Sequence, residues 1–182
     1  MIFDKVFFSF HRMLLFALLA ILPVSSWAGY QSGTDTYSFS PPVGSGSGRS
    51  YALTGSGRIT AVRVWEAYSN YIYGFQFRYG YIWSNVSGYR HGQAQEITLF
   101  DGEFIVQISG KYAHYVQWIV FTTNMGRSLY AGQPQGHSFN MYPTNKGAEL
   151  RFLSGSFQGA ITSVAAHWGV VAVPHNVTNK HL

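Results

Sequence analysis

Hydrophobic and polar residues alternate with a period of two in several short stretches of the chain. The alternation is clear in residues 75–79, 104–109 and 150–152, and glycine or asparagine flanks each stretch. A period of two puts successive side chains on opposite faces of a strand, and the flanking residues favour turns. No window of helical length carries a hydrophobic stripe with a period of 3.6 residues. The pattern therefore predicts an all-β fold.

A weak internal repeat connects the predicted strands. An aliphatic residue, a hydroxyl residue, a glycine and a polar residue follow one another at 53–56, 108–111 and 153–156, and each segment leads into an aliphatic strand. Three units of about 50 residues, each long enough for four short strands, favour three antiparallel sheets around one core. A sandwich of two sheets, in which the repeated segments are coincidental, fits the same pattern, because strand periodicity does not give the number of sheets.

The composition supports a folded β domain and limits its chemistry. Of 182 residues, 47% are hydrophobic, 18% aromatic and only 10% charged, which excludes a disordered chain and disfavours a helical bundle. The length suits one domain. The absence of cysteine excludes disulfides, thiolate nucleophiles and cysteine-ligated zinc.

The first 28 residues have the organisation of a secretory signal. Basic residues precede an apolar run at 14–22, and Pro23 and the small residues in 26–28 follow it. A membrane anchor is the alternative, but it needs about 20 continuous apolar residues, and this run is interrupted on both sides. We therefore predict a signal peptide at 1–28, a secreted protein and no transmembrane anchor.

The rest of the chain is predicted to hold one domain between two loose segments. Residues 29–43 are rich in Ser, Gly, Thr, Tyr and Pro, which is typical of a flexible lead-in. The domain is predicted at 44–173, and the polar residues 174–182 form a loose tail. In a secreted protein, Asn85 and Asn176 are candidate N-glycosylation sites, although such triplets also arise by chance.

The residues that enzymes use are present but not arranged for catalysis. No two carboxylates have a spacing that pairs them on one element, and no two histidines have a metal-binding spacing. The glycine run at 44–48 has no helix signal after it, so it is neither a nucleophile elbow nor a nucleotide loop. We predict no enzyme activity, no metal and no cofactor.

Several stretches resemble a known family, the jacalin-related lectins, and within it the animal zymogen granule membrane protein group. The matching stretches are 59–64, 76–80 with Trp83-Ser84, 105–112, and 150–155 continuing through His167-Trp168. The resemblance implies a β-prism of three four-stranded Greek-key sheets with pseudo-threefold symmetry. It also implies a metal-free, sugar-binding module that is secreted or held in the lumen of a secretory granule.

The resemblance also implies a sugar site at one end of the prism. The glycine loop of the family corresponds to Gly44–Arg49, and its binding loop corresponds to Gly155–Thr162. The carbohydrate-binding residues predicted in this way are Gly48, Phe157, Gln158, Gly159, Ala160 and Thr162. The family loop usually ends in Gly-x-x-x-Asp, but this chain has glutamine in place of the glycine and threonine in place of the aspartate.

The missing carboxylate predicts a weak or altered mannose site. A monosaccharide with a dissociation constant of about 1 mM binds with only about 4 kcal/mol. A hydrogen bond to a charged group contributes about 1.5–3 kcal/mol, so one hydroxyl at Thr162 replaces only part of it. Another neutral sugar, held by backbone N–H groups of the loop and stacked on Phe157, is an alternative ligand. An unstacked, exposed Phe157 is equally compatible with the sequence.

Two further functions are compatible with the sequence. The chain has 12 basic and 7 acidic residues. In the resemblance, basic residues beside the glycine loop imply binding of sulfated glycosaminoglycans, here through Arg49, Arg63 and Arg90, although exposed arginines without a ligand are common. The secretory route disfavours nucleic acid as the polyanion. The third possibility is an interaction scaffold without sugar binding, in which the aromatics of 111–115 contact another protein.

Overall fold

The part of the chain that the structure describes consists of strands and turns. The structure is a computed structural model, and it describes residues 37–67 and 70–171. The strands are β1 (Tyr37–Gly44), β2 (Arg49–Leu53), β3 (Ile59–Glu66), β4 (Ile72–Tyr79), β5 (Ile82–Trp83), β6 (Ser87–Gly88), β7 (Gln93–Thr98), β8 (Ile105–Tyr112), β9 (Val116–Thr123), β10 (Ser128–Gly132), β11 (His137–Met141), β12 (Glu149–Gln158) and β13 (Ala160–Gly169). These residues include no helix capable of spanning a membrane.

The strands form three antiparallel sheets around one core. The first sheet has the order β1-β13-β12-β2, the second β5-β4-β3-β7 with β6 also on β4, and the third β10-β9-β8-β11. In the second and third sheets, three successive strands pair in turn and the fourth returns beside the first, which is a Greek key. Residues of all three sheets contribute to a single hydrophobic core. The predicted β-prism is confirmed, and the two-sheet sandwich is wrong.

The first sheet is assembled from strands that are far apart in the sequence. The hairpin of β12 and β13 receives β1 on one edge and β2 on the other. The strands of this sheet follow the same Greek-key order as those of the other two sheets. The order begins at β12 and β13, however, and β1 and β2 complete it. Residues 37–43, predicted as part of a flexible lead-in, are therefore paired in β1. The predicted signal peptide, residues 29–36 and the predicted tail lie outside the described residues.

Two β-bulges in the central strand pair of each sheet define the register of the internal repeat. The strands β3, β8 and β12 each pair with the next strand, and in each pair the register changes once near either end. The changes fall at Ile59/Ala61 and Trp65/Glu66 in β3, at Ile105/Gln107 and Lys111/Tyr112 in β8, and at Leu150/Phe152 and Ser156/Phe157 in β12. Aligning these bulges makes Val64, Gly110 and Gly155 equivalent. The predicted equivalence of Gly55 with the other two glycines is wrong. Gly55 follows β2 and packs under the Tyr79 ring.

Aromatic side chains fill the centre of the core. Phe121 makes edge contacts with Phe75 and Phe77, at interplanar angles of 84° and 82°. Trp168 is fully buried, and its indole N–H donates to the Ser40 hydroxyl at 2.9 Å, which ties β13 to β1. Such large rings bury much apolar area per residue, so a core without disulfides stands on packing alone.

Candidate functional site

Three glycine loops lie at the same end of the molecule, one over each sheet. They span 44–48, 88–92 and 132–136, and each begins and ends with a glycine of positive φ. A Cβ on the first glycine would lie within 2.1–2.3 Å of a carbonyl oxygen of β13, β4 or β9. A Cβ on the last glycine would lie within 2.0–2.4 Å of a carbonyl oxygen of β12, β3 or β8. The loops therefore rest directly on the strand pairs below them, and only glycine permits this approach.

The loop at 44–48 is also tied to a neighbouring sheet. The Gly46 N–H donates to the Thr162 carbonyl at 3.3 Å, and the Ser45 N–H donates to the His114 carbonyl at 3.3 Å. His114 lies in the turn between β8 and β9, in the third sheet. Loop 44–48, the β12–β13 hairpin and this turn thus meet at one place.

The tip of the β12–β13 hairpin offers exposed backbone beside loop 44–48. Gln158 and Gly159 are exposed, and Gly159 has a φ of 73° with open space around it. Gly48 is exposed next to them, since a Cβ there would lie 2.6 Å from the Gln158 Cβ. Ala160 is only 2% exposed, so its side chain contributes no surface. Of the predicted site residues, Gly48, Gln158 and Gly159 share an accessible surface.

Thr162 does not reach that surface. It is the extra residue of the bulge in β13, because Ile161 and Ser163 pair with the successive residues Phe157 and Ser156. Its side chain is 0% exposed, and its hydroxyl donates to the Ser47 carbonyl. The expectation that Thr162 offers a hydroxyl to a sugar is therefore wrong for this conformation. The hydroxyl instead fastens loop 44–48 to the hairpin.

Phe157 lies at the edge of the hydrophobic core, so its ring is not freely exposed for a sugar to stack on. Its ring lies 6.3 Å from the Tyr51 ring and 5.6 Å from the Tyr89 ring, the latter at 89°. It packs against the core as a half-buried residue. Tyr89 is 45% exposed, so it is the aromatic side chain that faces solvent here. Tyr89 is not among the residues predicted from the sequence, although its position next to Gly88 in a glycine loop is a signal for it.

Of the three predicted arginines, Arg63 is engaged by an acidic side chain. Arg63 is held by Glu96, with its Nε 2.8 Å from the carboxylate, and its Nη1 donates to Gln76 at 3.0 Å. It also lies over the Trp83 ring, 4.2 Å from the centroid. It lies on the outer face of the second sheet, and its guanidinium is 5.9 Å from the centroid of the Trp65 ring, which Arg90 also contacts. The pairing with Glu96 removes most of its capacity to bind another anion.

Arg49 and Arg90 lie near each other at the loop end. Arg49 pairs with Phe157 in the first sheet, and Arg90 follows Tyr89, whose ring contacts Phe157. Both arginines are exposed, and no ion pair to another described residue occupies either one. The Arg90 guanidinium lies 5.8 Å from the centroid of the Trp65 ring, which holds it against the protein surface.

Asn85 is exposed in the turn between β5 and β6, and Ser87 of its triplet lies in β6 and is 9% exposed. Asn176 lies outside the described residues. Within residues 37–67 and 70–171, no three His, Asp or Glu side chains come together in a way that suits a metal ion.

Sequence comparison matches residues 40–167 to the Jacalin-like lectin domain. The chain is similar to zymogen granule membrane protein 16 of Homo sapiens, with 40% identity over 161 residues that cover 87% of this chain and 95% of that protein. The Mus musculus protein of the same name is 41% identical over 160 residues, which cover 86% of this chain and 94% of that protein.

Solved structures show the same fold. A prostate-specific WGA16 glycoprotein lectin superposes with a TM-score of 0.66 and 30% identity, covering 74% of this chain and all of that one. The structure of an artocarpin-mannotriose complex gives a TM-score of 0.62 at 18% identity, covering 75% of this chain and all of that one. At that identity the second likeness concerns the fold alone.

Proposed function

The chain belongs to the jacalin-like lectin family, and we propose that it binds carbohydrate where loop 44–48 meets the β12–β13 hairpin. One observation carries the location: Gly48, Gln158 and Gly159 present exposed backbone side by side at this point. Backbone N–H groups without an intervening Cβ suit the fixed directions of sugar hydroxyls. The protein is a binding module and not an enzyme. Its binding needs no metal ion, because the donors are backbone groups.

Mannose is a poor ligand for this site. The position where the family usually has an aspartate holds Thr162, which is buried and bonded to Ser47. Thr162 supplies no carboxylate at this position, so the charge-assisted hydrogen bonds that the family aspartate would give to a sugar's hydroxyl pair are absent there. The site therefore prefers a different neutral sugar, oriented by the backbone of Gly48 and Gly159 and bordered by Tyr89.

Sulfated glycosaminoglycans are the second candidate ligand. Arg49 and Arg90 are exposed at the loop end and carry no ion pair among the described residues. Guanidinium groups form paired hydrogen bonds with sulfate oxygens as they do with carboxylates. Arg63 contributes little, because Glu96 already occupies it.

The relatives named zymogen granule membrane protein 16 support a place in the secretory pathway. We propose that the protein is secreted, or stored in a granule lumen, after removal of a signal peptide at 1–28. Asn85 is then available for N-glycosylation, since it lies on an exposed turn. In this compartment glycans are the expected partners, and nucleic acid is not.

A glycan array tests these proposals directly. The probe is the protein secreted from a eukaryotic host, applied to neutral mannose, galactose and glucose glycans and to sulfated oligosaccharides of defined length. We expect neutral non-mannose or sulfated glycans to give the strongest signals. Mannose as the strongest ligand would falsify the altered-site proposal. No signal on any glycan would favour the interaction scaffold.

A further inference from the structure

The outer face of the first sheet carries a groove next to the loop site. The groove has a volume of about 470 Å³, and its floor consists of small residues of β12 and β13: Ser154, Gly155, Ser156, Ser163 and Ala165. Phe39 and Pro42 of β1 form one wall, and Gly44, Ser45 and Gly46 close one end. A volume of this size lies within the range of small-molecule sites, which is about 300–1,000 Å³.

The pseudo-threefold symmetry shows that this groove is particular to the first sheet. By the alignment of the bulges, Ser156 is equivalent to Trp65 and Lys111, and Ser163 is equivalent to Gly74 and Trp118. Trp65 and Trp118 therefore fill the corresponding surfaces of the second and third sheets. Arg63 and Trp83 further cover the second sheet, and Tyr130 stacks on Trp118 in the third. Only in the first sheet do serines replace these rings.

The groove is uncharged and rich in hydroxyl groups. None of the described residues that line it is ionisable apart from Tyr51, whose hydroxyl donates to the Ser163 carbonyl. The hydroxyls of Ser156 and Ser163 make no side-chain hydrogen bond to described residues, and neither is sealed off from solvent. The Phe39 ring is 48% exposed and packs on His167, with centroids 4.9 Å apart.

We propose that this groove binds the second and third sugar residues of a neutral oligosaccharide whose first residue occupies the loop site. The inference rests on the proposed function. Hydroxyl groups that lack protein partners suit the hydroxyls of a sugar, and an exposed ring suits its apolar face. The absence of lining cations excludes a sulfated chain as the preferred occupant. Loop 44–48 connects the two regions, because its first half closes the groove while Gly48 faces the loop site.

The test measures affinity against ligand length. Wild-type protein and three variants are titrated calorimetrically with neutral gluco- and galacto-oligosaccharides that contain from one to about five units. Ser50→Trp fills the groove from the exposed edge strand β2. Phe39→Ala removes the aromatic wall without touching the core. Ala94→Trp is the matched control, because Ala94 is exposed at the equivalent position of the second sheet.

In the wild type we expect affinity to rise at least about tenfold from one unit to three. Ser50→Trp and Phe39→Ala should each reduce trisaccharide affinity about fivefold to tenfold and leave monosaccharide affinity unchanged. Ala94→Trp should match the wild type at every length.

If the wild type bound all lengths with equal affinity, or if Ala94→Trp lost as much affinity as Ser50→Trp, the groove proposal would be overturned and the loop site would stand. No binding at any length overturns the proposed loop site as well. A dimer that Phe39→Ala dissociates, seen by sedimentation, also overturns the proposal, since a second copy would then fill the groove.

Discussion

The Thr162 hydroxyl donates a hydrogen bond to the Ser47 carbonyl, and this contact holds loop 44–48 down on the β12–β13 hairpin, where we propose the sugar site. The residue that family resemblance makes a ligand contact is therefore a structural fastener in this chain. Binding has to rely on the exposed backbone on either side of it.

Thr162→Asp should destabilise the free protein and create mannose binding. The Thr162 hydroxyl donates to the Ser47 carbonyl, whereas a carboxylate in its place can only accept and would repel that oxygen. We therefore expect the free energy of unfolding to fall by about 2–4 kcal/mol. Mannose hydroxyls supply the donors that the carboxylate lacks. At a mannose concentration about 100 times the dissociation constant, the ligand should restore about 2.7 kcal/mol. Urea unfolding with and without mannose measures both effects.

Thr162→Ser and Thr162→Val are the controls for this experiment. The serine variant keeps the hydroxyl and should stay close to the wild type, whereas the valine variant loses the hydrogen bond and about 1 kcal/mol. Neither should respond to mannose. A wild-type protein that mannose stabilises as much as the aspartate variant would contradict the prediction.

Gly44→Ala should disrupt the site loop, and Gly46→Ala should not. Gly44 has a φ of 107°, and a Cβ there would lie 2.1 Å from the Thr162 carbonyl oxygen. Gly46 also has a positive φ, 73°, but an added Cβ meets nothing within 4 Å. We expect a loss of about 3 kcal/mol or more at Gly44 and about 1 kcal/mol at Gly46, by urea unfolding. Similar losses in both variants would show that the loop does not rest on β13.

Replacing Arg49 and Arg90 with glutamine should weaken binding to heparin. Each arginine that contacts a sulfate releases counterions, so the slope of log affinity against log salt should fall by about one per residue. Lys146→Gln is the matched control, because Lys146 is exposed in the turn before β12, at the opposite end of the strands. Elution from a heparin column over a salt gradient measures the effect. An equal shift for the control would mean that only net charge matters.

His167 should make the protein less stable in mild acid. Burial lowers the pKa of His167 from its usual 6.5, because loss of solvent disfavours the charged ring. The ring stacks on Phe152, with centroids 3.9 Å apart, and Tyr37 and Ser154 hydrogen-bond to its two nitrogens. The unfolded chain therefore binds the proton more readily than the folded one. Stability is fully present above pH 6.5 and is lost progressively as the pH falls from there to the lowered pKa.

His167→Gln is the comparison for the pH effect, since an amide can keep hydrogen bonds to Tyr37 and Ser154 without titrating. Urea unfolding at about pH 7.5 and about pH 5 should show a smaller loss of stability in the variant than in the wild type. The other histidines contribute equally to both proteins. If the two proteins lost the same stability, His167 would not be the responsible group.

Asn85 should carry a glycan when the protein passes through a eukaryotic secretory pathway. The residue lies on an exposed turn and begins an Asn-x-Ser triplet. Treatment with peptide-N-glycosidase should lower the apparent mass of the wild type. An Asn176→Gln background isolates the first site, and Asn85→Gln in that background should show no further change with the enzyme. An unmodified protein in the Asn176→Gln background would contradict the prediction.

The architecture was accessible from the sequence because strand signals are local. Alternation of side chains and turn-forming glycines define the strands around 75–79 and 105–112 without knowledge of their partners. Membership of a sheet is a non-local property. The Gly55 segment resembled the other two in composition, yet its glycine lies beneath Tyr79 after the fourth strand of a unit. The internal repeat of the three sheets is marked instead by the glycine loops at 44–48, 88–92 and 132–136.

The site was accessible only in part, for the same reason. Gly48 and Gly159 are exposed, as the turn chemistry around them predicts, and their role in binding stays a prediction. The burial of Thr162 depends on a loop more than 100 residues earlier in the chain. The pairing of Arg63 with Glu96 depends on two strands of the second sheet that are not adjacent in the sequence. Neither relationship leaves a trace in local composition.

The assembly of the first sheet from both halves of the sequence affects when the protein can bind. Trp168 and its partner Ser40 are 128 residues apart, and closing so long a loop is slow compared with forming the hairpins of the other two sheets. During synthesis, loop 44–48 emerges early but has no hairpin to rest on until β13 leaves the ribosome. The surface that we propose for sugar binding is therefore completed only when synthesis of the domain is nearly finished.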